Sequence, residues 1–109
     1  MPFEIPESDW KIFRKLRKAA LERFCKRVME ELVSICTNEY LTSHERYLAA
    51  WKLLKKRDKE VSLMFDDLRR STMLQQLQNI TVSGLLTHEE IREFNEDIQK
   101  LICSRNSQE

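Results

Sequence analysis

Apolar residues recur at intervals of three and four along most of the chain, which is the spacing of one face of an α-helix. The first run extends from Trp10 to Ile35 and fades over residues 37–42. The second runs from Tyr47 to Leu68, with alternating steps of four and three. Such alternation is typical of a seam between packed helices. The pattern predicts two long helices joined by a short connection.

Two helix starts can be identified from local chemistry. Thr42 is followed three residues later by Glu45, and Thr87 by Glu90. In this arrangement, a capping box, the threonine hydroxyl and the glutamate carboxylate each accept a backbone N–H of the first helical turn. Gly84 is the only glycine in the chain, and we expect it to end the helical segment before Thr87. The final helix carries its apolar face on Ile91, Phe94, Ile98, Leu101 and Ile102.

The second helix changes character near Ser71, where its seam becomes polar. Its apolar residues then move to a different face, formed by Met73, Leu74, Leu77 and Ile80. Either the helix breaks near Ser71, or it continues and meets another surface. The segment Ser71–His88 contains no Asp, Glu, Lys or Arg, a depletion typical of protein interfaces. We therefore predict that this segment is partly buried in a homodimer or larger assembly; burial under the last helix explains the pattern equally well, and the two are compatible.

One charged residue interrupts each of the two long apolar stripes. Arg17 lies within the first stripe and Asp58 within the second. Charges on buried faces are usually paired, because an isolated charge is costly to remove from water. If residues 36 and 43 flank the turn of an antiparallel pair, Asp58 lies about one helical turn from Arg17. This register predicts a structural ion pair, and we favour it over an acid–base role for Asp58.

The composition is that of a single helical domain spanning residues 1–109. One glycine and two prolines leave little punctuation for strands and turns, and 34% of residues are charged against 41% hydrophobic. The fold class expected is all-α, an antiparallel bundle of two long helices plus one or two shorter ones. The apolar pattern ends at residue 102, so residues 103–109 are expected to fray.

Basic residues cluster on the first helix, although the net charge of the whole chain is only +1. The candidate basic face consists of Lys11, Arg14, Lys15 and Lys18. A solvated helix face explains it most simply, and nucleic-acid binding is the functional alternative.

The sequence contains no pattern that predicts catalysis, a cofactor, a metal site or a membrane span. His44 and His88 lack neighbouring ligands at zinc-site spacing. The three cysteines, Cys25, Cys36 and Cys103, are widely spaced and odd in number, as expected for free thiols in a reducing cytoplasm. Cys25 and Cys36 are expected to react slowly because they adjoin packed faces, and Cys103 quickly.

Four stretches resemble small uncharacterised bacterial proteins of about this length, which are all-helical and have no assigned activity. They are Ile5–Trp10, Ser43–Leu48, Arg57–Glu60 and Phe65–Ser71. The resemblance implies a bacterial cytoplasmic protein and no particular chemistry. From the residues themselves, the leading hypothesis is a non-enzymatic interaction or adaptor protein that self-associates through a helical face. The alternative is a small nucleic-acid-associated regulator that uses the basic face of the first helix.

Overall fold

The computed structural model describes the backbone of residues 4–106 and the side chains of residues 4–102, and the regular elements within this range are all helices, with no strand. The all-α prediction is thus confirmed. There are two long helices and three shorter ones, with a 3₁₀ turn at Arg70–Thr72. The helices are α1 Glu7–Cys36, α2 Ser43–Phe65, α3 Met73–Val82, α4 His88–Ile91 and α5 Glu96–Asn106.

Both predicted capping boxes form as the sequence indicates. The Thr42 hydroxyl accepts the Glu45 N–H at 3.1 Å, and the Thr42 N–H donates to the Glu45 carboxylate at 2.8 Å. Thr87 and Glu90 repeat the pair at 3.1 and 2.9 Å. Gly84 has φ of +71°, the left-handed conformation that ends a helix most easily without a Cβ.

The hydrophobic core lies at one end of the molecule, where α3 packs against α1, α5 and the end of α2. Its side chains are Ile5, Phe13, Leu16, Ala20, Phe24, Val28, Met64, Phe65, Met73, Leu77, Ile80, Leu85, Phe94, Ile98 and Ile102. The other end is a hairpin of α1 and α2, and it contributes to an elongated molecule of 55 × 24 × 23 Å. No side chain between residues 29 and 63 is buried.

The second helix breaks, which decides between the two interpretations of the segment after Phe65. The chain leaves α2 at Asp66, and the Asp67 carbonyl accepts the Thr72 hydroxyl at 2.6 Å. The buried Gln76 amide donates to the same carbonyl. Because these bonds satisfy backbone groups that a continuous helix would use, α3 can turn back onto the core.

The prediction of a subunit interface on this face is wrong, because the chain turns after Phe65. Met73, Leu77 and Ile80 are at most 1% exposed, and Leu74 is half-buried against the same core. The new apolar face arises because α3 is a separate helix that packs inside the chain's own core, on α1 and α5. These side chains are therefore not available to a partner subunit, and the alternative of burial within the chain is the correct one.

The last helical segment is also split, at a position that its apolar pattern does not show. The Asn95 carboxamide accepts the Ile98 N–H at 3.0 Å and so caps α5. Asp9, only 3% exposed, accepts the backbone N–H and the side-chain amide of Asn95 at 2.9 and 2.8 Å. One buried carboxylate at the start of α1 thus fixes the start of α5.

Helix α5 extends to Asn106, into the segment that was expected to fray from residue 103. The end of the apolar pattern therefore does not mark the end of the helix. Residues 107–109 lie outside the described part of the chain.

Candidate interaction surfaces

The predicted ion pair between Arg17 and Asp58 does not form. The Arg17 guanidinium donates to the Phe65 carbonyl at the end of α2 and lies 5.7 Å from the centre of the Phe65 ring. Asp58 is exposed and lies in a cleft beside Val28 and Met29. At 1.5 Å per helical residue, Val28 is roughly 17 Å along α1 from Arg17, too far for a contact.

The error lies in the register of the two long helices. With residues 36 and 43 flanking the turn, Asp58 was expected to face Leu21, but Asp58 shares a cleft with Val28 and Met29, and Arg57 contacts Glu31 at 2.9 Å. Arg46, in the first turn of α2, donates to the Asn38 carbonyl at 2.8 Å. The connection therefore continues beyond the end of α1 before α2 begins. As a result, α2 is shifted along α1 by about two helical turns from the register that a tight turn would give.

The ion pair that does join the long helices is centred on Arg57, which the sequence interpretation did not single out. Its guanidinium contacts Glu31 of α1 at 2.9 Å and Glu60 of its own helix at 2.8 Å. Hydrogen bonds to Glu31 and then Glu60 raise the pKa of Arg57 above its ordinary value. The sequence does contain one sign of this contact: Arg57 and Glu60 are three residues apart on a helix, a spacing at which opposite charges can pair.

Two arginines of α1 fasten the loop between α3 and α4. The Arg23 guanidinium donates two hydrogen bonds to the Glu90 carboxylate, a bidentate contact at 2.7 and 2.9 Å, and a third to the Leu85 carbonyl at 2.8 Å. Arg27 donates to the carbonyls of Ser83 and Gly84 at 2.9 and 2.8 Å. The Arg23 hydrogen bond is the main reason that the pKa of Glu90 falls from 4.5 to about 2. These two cations are therefore structural.

One side of the hairpin carries a groove between the two long helices, which we call the hairpin groove. It consists of two clefts of about 430 and 230 Å³ that share Leu54. Met29, Tyr47, Trp51 and Leu54 line it and are 54, 67, 55 and 44% exposed. The first part of the predicted α2 seam, Tyr47, Trp51 and Leu54, thus leaves an apolar surface uncovered, whereas Val61 packs against the core and Phe65 is buried in it.

A second surface is the basic stripe, formed by Lys11, Arg14, Lys15 and Lys18. All four are exposed on α1, where steps of three and four place them on one face. Together with Arg17 and Leu68 they line a cavity of about 290 Å³. The structure thus brings the four predicted cations together on one side, whereas Arg23 and Arg27 face the α3–α4 loop.

Cys25 and Cys36 are free and exposed, and both line the hairpin groove. The reason given for their slow reaction, a position on or beside packed faces, therefore does not hold, because both side chains are exposed. The side chain of Cys103 lies outside the described residues.

Among residues 4–102 there is no group of three His, Cys, Asp or Glu side chains arranged to hold a metal ion. No helix within residues 4–106 is long and apolar enough to cross a membrane.

The chain matches no protein-family model, and no curated protein or solved structure is significantly similar to it. Function must therefore be argued from the two surfaces themselves.

Proposed function

We propose that this is a non-enzymatic interaction protein that self-associates through the hairpin groove. The observation that carries the proposal is the lack of any buried side chain in residues 29–63. Helices gain most of their stability in proteins by burying an apolar face, and isolated helices are marginal in water. A surface that covers the groove would supply the burial that this half of the molecule lacks.

The area of the groove is sufficient for a small dimer interface. Tyr47 and Trp51 are more than half exposed, and Met29 and Leu54 adjoin them. With aromatic side chains of roughly 150–250 Å² each, the four together offer on the order of 500 Å² of surface. Two such faces reach about 1,000 Å², the lower limit for a specific interface.

A second copy of the chain suits the groove better than a strongly charged partner. The groove is lined by Arg46, Arg57 and Asp58, and Arg57 is already paired with Glu31 and Glu60, so the groove carries no strong excess of one sign of charge. The net charge of +1 adds little repulsion between copies. Pairing of two hairpins about a two-fold axis produces a four-helix bundle, a common solution for helices with one uncovered face.

The proposal includes a reducing cytoplasmic location. Its support is that Cys25 and Cys36, the two cysteines whose side chains the structure describes, are free thiols. Exposed thiols persist in a reducing compartment and are readily oxidised outside it.

The test is the molar mass in solution, measured by size-exclusion chromatography with light scattering over a range of micromolar concentrations. Wild type should be a dimer, and Trp51→Glu should shift it toward monomer because a charge would be placed in the interface. Leu63→Glu is the matched control, since Leu63 is 77% exposed and lies outside the groove. Both variants should keep wild-type helicity by circular dichroism.

Two results would overturn this function. One is a wild type that remains monomeric at high micromolar concentration. The other is a dimer that Trp51→Glu and Leu63→Glu weaken equally, because the groove would then have no special role.

A further inference from the structure

The basic stripe is a concentration of charge that the fold does not use. Lys11, Arg14, Lys15 and Lys18 are exposed, and none of them forms an ion pair with a described residue. On α2 an exposed row has the same spacing, Lys52, Lys55, Lys56 and Lys59, but it is flanked by acids, with Asp58 three residues from Lys55 and Glu60 four residues from Lys56. Arg14 does make one contact, lying 5.6 Å from the centre of the Trp10 ring.

The stripe forms one wall of a concave site. Five cations, the stripe together with Arg17, line the cavity of about 290 Å³, and its remaining lining residue is Leu68. No acidic side chain is among those lining residues. The Arg17 Nε is shielded from solvent and has no hydrogen-bond partner among the described residues. Like charges gathered in this way repel each other, and an anion seated among them would relieve the repulsion.

We propose that the basic stripe binds the phosphate backbone of a nucleic-acid duplex. Contacts to phosphates need exposed lysines and arginines, and they carry affinity without reading base sequence. The stripe spans about 10 Å at 1.5 Å per residue, with cations one turn apart. A straight row of this kind can follow consecutive phosphates along one strand.

Single-stranded nucleic acid and an anionic membrane fit the site less well. Single-strand binding relies on aromatic rings that are free to stack on bases. The Trp10 ring is not free, because Arg14 lies over it and Phe13 stacks against it at 6.0 Å. A membrane-binding helix carries large apolar side chains beside its cations. At this site only Leu68 is of that kind, and it is 41% exposed.

The test is fluorescence anisotropy with a short labelled DNA duplex and a triple variant, Lys11→Glu with Lys15→Glu and Lys18→Glu. The matched control reverses the same number of charges on α2, at Lys52, Lys56 and Lys59, all of which are exposed. Both variants have the same net charge. The stripe variant should lose at least about tenfold in affinity relative to the control, and wild-type affinity should fall with salt with a log–log slope of about −3 to −4.

Several outcomes would overturn the proposal: no duplex binding by wild type, an equal loss in both triple variants, tighter binding to the single strand, or binding only to phosphatidylserine vesicles. Circular dichroism checks that the variants fold. If the stripe variant does not fold, the single change Lys15→Gln replaces it. That variant should reduce affinity and make the salt slope shallower by about one, and an unchanged slope would count against the proposal.

Discussion

The contact between Arg23 and Glu90 should make stability depend on pH in the acid range, and Glu90→Gln isolates that dependence. Glutamine also serves at this position of a capping box, so the substitution removes the charge while the Thr87 cap can persist. In the folded protein the pKa of Glu90 is lowered from 4.5 to about 2, chiefly by the Arg23 hydrogen bond. The carboxylate therefore stabilises the fold fully above pH 4.5 and loses this effect as the pH falls toward 2.

The size of the effect follows from the shift and from the exposure of the two side chains. A pKa difference between 4.5 and about 2 sets an upper limit of about 3.4 kcal/mol. The Arg23 side chain is 41% exposed and that of Glu90 is 18% exposed, so solvent screens much of the attraction. After this reduction we expect Glu90→Gln to lower the free energy of unfolding by roughly 1–2 kcal/mol at pH 7.

Urea denaturation followed by circular dichroism, at a series of pH values from 7 downward, measures the difference. The gap between wild type and Glu90→Gln should narrow as the pH falls below 4.5. Glu89→Gln is the control, because Glu89 is exposed and adjacent in sequence. A gap that stays constant with pH would refute the reasoning, as would an equal loss in Glu89→Gln at pH 7.

Two further predictions concern the core and the start of the last helix. Leu77→Ala should lower the free energy of unfolding by about 2–5 kcal/mol in urea melts because Leu77 is fully buried. Val82→Ala, at a 52% exposed position of the same helix, is the control and should stay within about 0.5 kcal/mol of wild type. Equal losses of stability in the two variants would place Leu77 outside the core. Asp9→Asn should cost about 1–3 kcal/mol in the same melts, since an amide cannot accept both Asn95 donors as the carboxylate does. The exposed Glu93→Gln is its control, and a neutral Asp9→Asn would mean that the buried carboxylate does not hold α5.

The features that the sequence predicted well depend on residues close together in the chain. Both capping boxes join residues three apart, and the left-handed Gly84 follows from the conformational freedom of glycine. The two long helices were predicted from apolar residues that recur every three or four positions, the spacing that places them on one face of a helix. The four cations of the basic stripe share a face for the same reason, since steps of three and four return to one side of a helix.

The features that the sequence did not predict depend on how separate helices meet. The contact between Asp9 and Asn95 joins residues 86 apart, and no local pattern marks either residue as a partner of the other. The α3 face was mistaken for an interface because an apolar stripe looks the same whether its own chain or another covers it. Only the break after Phe65 decides that α3 packs inside.

The register of α1 and α2 illustrates the division most clearly. The sequence by itself determined that each helix has an apolar stripe, and that Arg17 and Asp58 interrupt them. The path of residues 37–42 decided which turns face each other, and it placed Glu31 instead of Arg17 beside the charged part of α2. Helical periodicity repeats every turn, so several registers bury similar stripes, and the choice among them is made by the connection and by the packing of the whole core. That choice also left Tyr47 and Trp51 uncovered in the hairpin groove.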